Sequence, residues 1–104
     1  MTILHILSKN LRSTDALLEH IKSMGVGHEL LINANGVYML LPGSASHALL
    51  SKTALRHGLY VLEEDLIARG LSPKALDPKL QQIDYAAFVD LVAKHQGNYR
   101  WNEF

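Results

Sequence analysis

Short apolar runs alternate with segments of helical spacing along the whole chain, and this alternation restricts the architecture more than any other feature. Ile3 to Leu7, Glu29 to Ile32 and Leu59 to Leu62 read as strands, with Leu80 to Ile83 as a weaker fourth. Ser13-Thr14-Asp15 offers N-caps for a helix with Leu17, Leu18, Ile21 and Met24 on one side, ended by Gly25 and Gly27. Ser44 or Ser46 caps a second helix with Ala45, Ala48, Leu49 and Leu55 on its apolar side, and Gly58 stops it. A third opens at Glu63-Glu64-Asp65 and stops at Gly70. Asp84 caps the clearest one, where Tyr85, Phe88, Val89 and Val92 form an apolar stripe while Asp90 and Lys94 face water. Strands alternating with helices call for a parallel sheet with helices on both faces. The nearly unbroken apolar character of the second and third strands suits burial on both sides.

Two stretches admit two readings each. Asn33-Ala34-Asn35-Gly36 is a hairpin signal if Val37 to Leu41 forms a return strand, or a turn into a buried helix that Pro42-Gly43 breaks. Periodicity does not separate them, because the run is apolar on every side. The tail, NYRWNEF, concentrates Tyr99, Trp101 and Phe104; it either docks on its own domain or supplies an interface to a partner. Residues 71–79, with two prolines, read as a loop.

A length of 104 residues is expected to form one domain, 1–104, large enough for its own core. No apolar run approaches the ~20 residues that span a bilayer. The N-terminus lacks the basic start and small-residue cleavage site of a signal peptide, so a cytoplasmic location is expected and no membrane. Ten basic and ten acidic residues balance, without a basic run, which argues against direct nucleic-acid binding. The chain has no cysteine, which excludes a disulfide, a thiolate metal site and a cysteine nucleophile within it.

Ligands of open parallel sheets sit beyond the carboxyl ends of the strands. Lys9, Asn33, Gly36, Asp65 and Tyr85 lie at those ends and would line a small polar pocket suited to an anion. The competing reading is that these loop ends satisfy helix caps. Glu63, Glu64 and Asp65 favour the second reading: acids in a first turn meet the positive end of the helix dipole, and Asp65 pairs with Arg69 at i, i+4. The six histidines show no i, i+4 pair and no His-x-His, so they read as scattered surface or cap residues rather than metal ligands. There is no G-x-S-x-G, G-x-G-x-x-G or Walker loop, and no catalytic residue, metal or cofactor is expected.

Four segments in order carry a family resemblance: Leu4-His5-Ile6-Leu7-Ser8-Lys9, Leu30 to Val37, Tyr60 to Gly70, and Ile83 to Leu91, with a tryptophan near the C-terminus. The pattern resembles the TusB/DsrH family of bacterial sulfur relay. The resemblance implies a small Rossmann-like three-layer α/β/α domain with a mainly parallel sheet of about four to five strands. It implies TusC-like and TusD-like sister subunits, and a role in 2-thiouridine synthesis at the tRNA wobble position. The alternatives are a DsrH-like role beside DsrF-like and DsrE-like subunits in sulfur oxidation, or a stand-alone ligand-binding homodimer. In that family the main sulfur-carrying cysteine belongs to the TusD or DsrE subunit, and some DsrH-type members carry another in the first helix region; this chain carries none. A persulfide relay needs an activated thiolate, so the expected role is non-catalytic.

Overall fold

A computed structural model describes residues 2–101. In chain order the elements are β1 (Ile3–Leu7), α1 (Thr14–Lys22), β2 (Glu29–Ile32), a 3-10 segment (Ala34–Leu40), α2 (Ala45–Thr53), β3 (Leu59–Leu62), α3 (Glu63–Ala68), a short 3-10 turn (Pro73–Ala75), β4 (Gln81–Ile83), α4 (Tyr85–Lys94) and β5 (Gly97–Arg100). All strand pairings are parallel, in the order β4-β3-β2-β1-β5. The first three strands occupy the ranges their apolar runs mark out. The Rossmann-like α/β/α expectation holds, with five strands.

The strand order decides where the helices go. The first three crossovers all step in one direction, from β1 through β2 and β3 to β4, so right-handed connections put α1, α2 and α3 on one face. The fourth reverses, carrying the chain past β1 to the opposite edge, and puts α4 on the other face. Alternating strand residues serve the two layers. Leu7, Leu30, Ile32, Leu59 and Val61 join Leu17, Leu50 and Leu66 on the three-helix face. Leu4, Ile6 and Leu31 meet Leu91 of α4 on the other, with Phe88 and Val92 packed alongside. Among the described residues no helix is long and apolar enough to cross a membrane.

The ambiguous stretch after β2 is not a hairpin. Asn33 N–H donates to the Leu7 carbonyl (3.0 Å), extending the β1–β2 ladder by one bond, and the chain turns into the 3-10 segment with Val37, Met39 and Leu40 buried. Ala34 takes a φ of 48° at the turn. Gly36 lies directly on β1: a Cβ there would collide with the Leu7 carbonyl oxygen. The expected stripe on α4 is only half covered. Leu91 is its buried residue, whereas Tyr85 is 60% and Val89 50% exposed. Periodicity identifies an apolar side but not how much of it the sheet reaches. The tail reading also changes, since Gly97–Arg100 forms an edge strand paired with β1.

Gly36→Ala should destabilise the fold by about 2 kcal/mol or more, because the backbone it meets has little room to retreat. Urea unfolding would show a lower midpoint at unchanged slope.

Candidate functional site

The carboxyl ends of the strands are closed by caps. The Asp65 carboxylate accepts from Ala34 N–H (2.6 Å) at the start of the 3-10 segment, and Glu64 accepts from Tyr85 N–H (3.2 Å) at the start of α4. Ser8 Oγ donates to Asn33 Oδ1 (2.5 Å), and Arg69 Nε donates to Asn35 Oδ1 (3.0 Å). Arg69 also lies 3.8 Å from the Asp65 carboxylate. Of the residues expected to line an anion pocket, Asn33, Gly36 and Asp65 are thus gathered around one turn. Lys9 and Tyr85 are exposed, and Tyr85 joins only through its backbone. Two of the three consecutive acids tie neighbouring loops to α3, and neither is placed as an acid/base pair. The order β4-β3-β2-β1-β5 sets the topological switch point between β1 and β5, away from most of these residues.

The polar chemistry that spacing did not reveal lies elsewhere in the sheet, and it overturns the reading of scattered histidines. His5, in the middle of β1, is 3% exposed. Trp101 Nε1 donates to His5 Nδ1 (2.8 Å), and an indole nitrogen can only donate. His5 Nδ1 is therefore an acceptor, and its proton sits on Nε2, 2.9 Å from His28 Nδ1. His28 Nδ1 accepts from His5 and also from Gly25 N–H (3.0 Å). His57 Nδ1–H donates to the His28 carbonyl (3.0 Å). His20 stacks on Trp101 with ring centroids 5.0 Å apart. Burial first, then the neighbouring His28, His57 and His20, push the His5 pKa down to about 4. The result is a row of connected rings in which the indole donor fixes the tautomer of His5, and His5 in turn donates to His28.

On the opposite face Glu29, at the start of β2, gathers a second cluster. One carboxylate oxygen accepts from Tyr60 OH (2.8 Å); the other accepts from His95 Nε2 (2.8 Å) and Lys94 Nζ (3.2 Å). Burial pushes the Glu29 carboxyl up, but the hydrogen bonds from Tyr60, His95 and Lys94 outweigh it and hold the carboxyl below its usual range. Burial and the same carboxylate push the Tyr60 phenol up to about 12. Gly58 makes room: a Cβ there would run into the Glu29 carboxylate. His95 Nδ1 is buried without a hydrogen-bond partner among the described residues. Among those residues no three His, Asp or Glu side chains converge as a metal set.

Of the tail aromatics expected at an interface, Trp101 is fully buried in its own domain, with its backbone N–H donating to the Ile6 carbonyl (2.9 Å). Tyr99 remains 50% exposed, edge-on to His5, and Phe104 lies outside the described residues. A mid-strand histidine in an otherwise apolar run was the available signal for this network, because a buried imidazole demands a partner.

These features define a small Rossmann-like α/β/α protein whose carboxyl-end loops are closed by its own caps and whose polar networks fasten its strands. A solved structure with the same fold is a protein of unknown function, MTH1491, from Methanobacterium thermoautotrophicum, with a TM-score of 0.70 at 14% identity, covering 95% of this chain and 96% of that one. The chain belongs to the DsrH-like family: the model described as DsrH like protein matches residues 9–98. It is 36% identical to Protein TusB of Escherichia coli O157:H7 over 101 residues, 95% of this chain and 100% of the relative. It is 38% identical to Protein TusB of Photorhabdus laumondii over 81 residues, 77% of this chain and 81% of the relative.

The pH dependence follows from His5. Its folded pKa of about 4 lies below the free value of 6.5, so the stability that its neutral form contributes is complete above pH 6.5. That stability is lost as pH falls from 6.5 through 4, and it amounts to about 3 kcal/mol at most. His5→Asn keeps an acceptor for Trp101 but does not titrate. Denaturant midpoints across this range should fall less steeply for the variant; parallel curves would show that other groups carry the dependence.

Proposed function

We propose that this chain is a non-catalytic subunit of a TusBCD-like sulfur relay complex, working in the cytoplasm in support of tRNA 2-thiouridine synthesis. The carrying observation is the combination of TusB relatives matched along nearly the whole chain with the absence of any cysteine in it. Sulfur carried as a persulfide needs a thiolate, so in such a complex the sulfur would travel on a sister subunit. The shape of the molecule supports a scaffold role. Polar groups at the strand ends are engaged with one another, while α4 offers Tyr85 and Val89 to solvent beside the partly buried Phe88 and Val92. An apolar stripe left open on a helix suits burial against another subunit.

Co-expression with TusC-like and TusD-like proteins tests this. The three should co-elute on size exclusion, and Val89→Asp should release this chain while leaving its own thermal midpoint within a few degrees. Elution of the wild-type chain alone, with the other two assembled, would sink the proposal.

A further inference from the structure

The face opposite α4 carries a second surface of different character. Between α1 and α2 lies a cavity of about 490 Å3, within the size range of ligand sites. Leu18, Ile21, Met24 and Leu49 give it an apolar lining. Every charged residue that lines it is a cation: Lys22, Lys52 and Arg56. The chain as a whole is neutral, so this is a local concentration of one sign. Lys22 and Lys52 occupy the last turns of their helices, where a cation complements the dipole. That accounts for their presence but not for Arg56, which lies beyond the end of α2. Lys22 makes only a loose pair with Glu19 (3.7 Å), both largely exposed, and neither Lys52 nor Arg56 forms an ion pair among the described residues. Leu55, on the lining between these two cations in sequence, is 68% exposed and extends the apolar lining out to the rim.

We infer that the α1–α2 groove binds a short amphipathic segment of a partner protein, with leucine-like side chains seated on the groove and flanking Asp or Glu residues meeting Lys22, Lys52 and Arg56. Charge complementarity names the sign of the occupant. The spread of the cations over both helices fits a peptide segment better than a single compact anion. A charged rim around a small apolar centre favours fast, salt-sensitive association, as in a transient encounter. The groove and the open stripe of α4 lie on opposite faces of the sheet, so both could be engaged together. This partner is distinct from the sister subunits of the proposed complex.

The probe is a fluorescent synthetic helix with a leucine stripe flanked by glutamates, titrated into the full chain and followed by anisotropy. Saturable binding should weaken by roughly tenfold or more in the Lys52→Glu/Arg56→Glu variant. It should also weaken with added salt, and be lost when the peptide's glutamates are replaced by lysines. Leu55→Asp, at an exposed position, provides a second variant should the double one fold poorly, and should weaken binding similarly. Val89→Asp should leave it unchanged. The inference is overturned by no saturable binding, by equal binding of the lysine peptide, by indifference to both groove variants, or by loss of binding in Val89→Asp. It is also overturned if sedimentation shows a wild-type dimer that Leu55→Asp separates, since the groove would then belong to a second copy. Loss of co-elution with the sister subunits in the groove variants would likewise overturn it and assign the groove to that assembly.

Discussion

The hydrogen bond from Trp101 to His5 holds the two ends of the chain together across 96 residues. β1 has neighbours on both sides and helices on both faces, so an imidazole in its middle has no access to water. A buried ring without partners costs more than its hydrogen bonds contribute, roughly 1–3 kcal/mol for each group left unmet. The indole donor meets one nitrogen, and by doing so it compels the other to donate to His28. One bond at the C-terminal end of the described chain therefore sets the tautomers of two histidines near its beginning. It also accounts for β5, a polar strand of Gly97, Asn98, Tyr99 and Arg100 that has little apolar burial of its own to hold it. The anchor is the tryptophan that follows it.

The two ends of the sheet are arranged differently. At the carboxyl ends, the acids after β3 reach sideways: Asp65 to the turn after β2 and Glu64 to the helix after β4. Each carboxylate satisfies a backbone N–H that its own segment would leave open, in the manner of a cap supplied from a neighbour. Toward the amino ends, Glu29 does the same for side chains, drawing in Tyr60 from β3 and the neighbouring Lys94 and His95 from the end of α4. A parallel sheet with short strands leaves many loop ends close together, and here the loops are fastened to one another by charge-assisted bonds.

The architecture was legible because β1, β2 and β3 are apolar runs bounded by caps and glycines, signals that depend only on near neighbours. The stretch from Asn33 to Leu41 was not, because an apolar run fits either period, and the group that selects the helical turn is the Asp65 carboxylate, 31 residues away. The histidines were misread for a related reason. Spacing rules find residues that share a helix face, whereas His28, just before β2, and Trp101, just after β5, reach His5 from the two strands that flank β1. On α4 the periodicity correctly marked apolar positions, but which of them the sheet covers depends on where the crossover to β5 places the helix, a property of strand order. Of the expected pocket, the grouping of Asn33, Gly36 and Asp65 was visible as strand-end polarity, but their engagement with one another was not.

The proposed subunit role rests on docking surfaces, and those must survive binding. On the proposed reading, the histidine network and the Glu29 cluster stiffen the two faces of the sheet from within, so that neither depends on the other's occupant. α4 can then present its open stripe to one neighbour while the α1–α2 groove remains available to another. The surfaces differ in the way their tasks would require. The stripe centred on Val89 has an apolar character suited to lasting burial, and the groove is rimmed by Lys22, Lys52 and Arg56, whose attraction to a partner is adjustable by salt and reversible. A chain whose charges balance overall still gives this groove a sign, because every charged residue lining it is a cation.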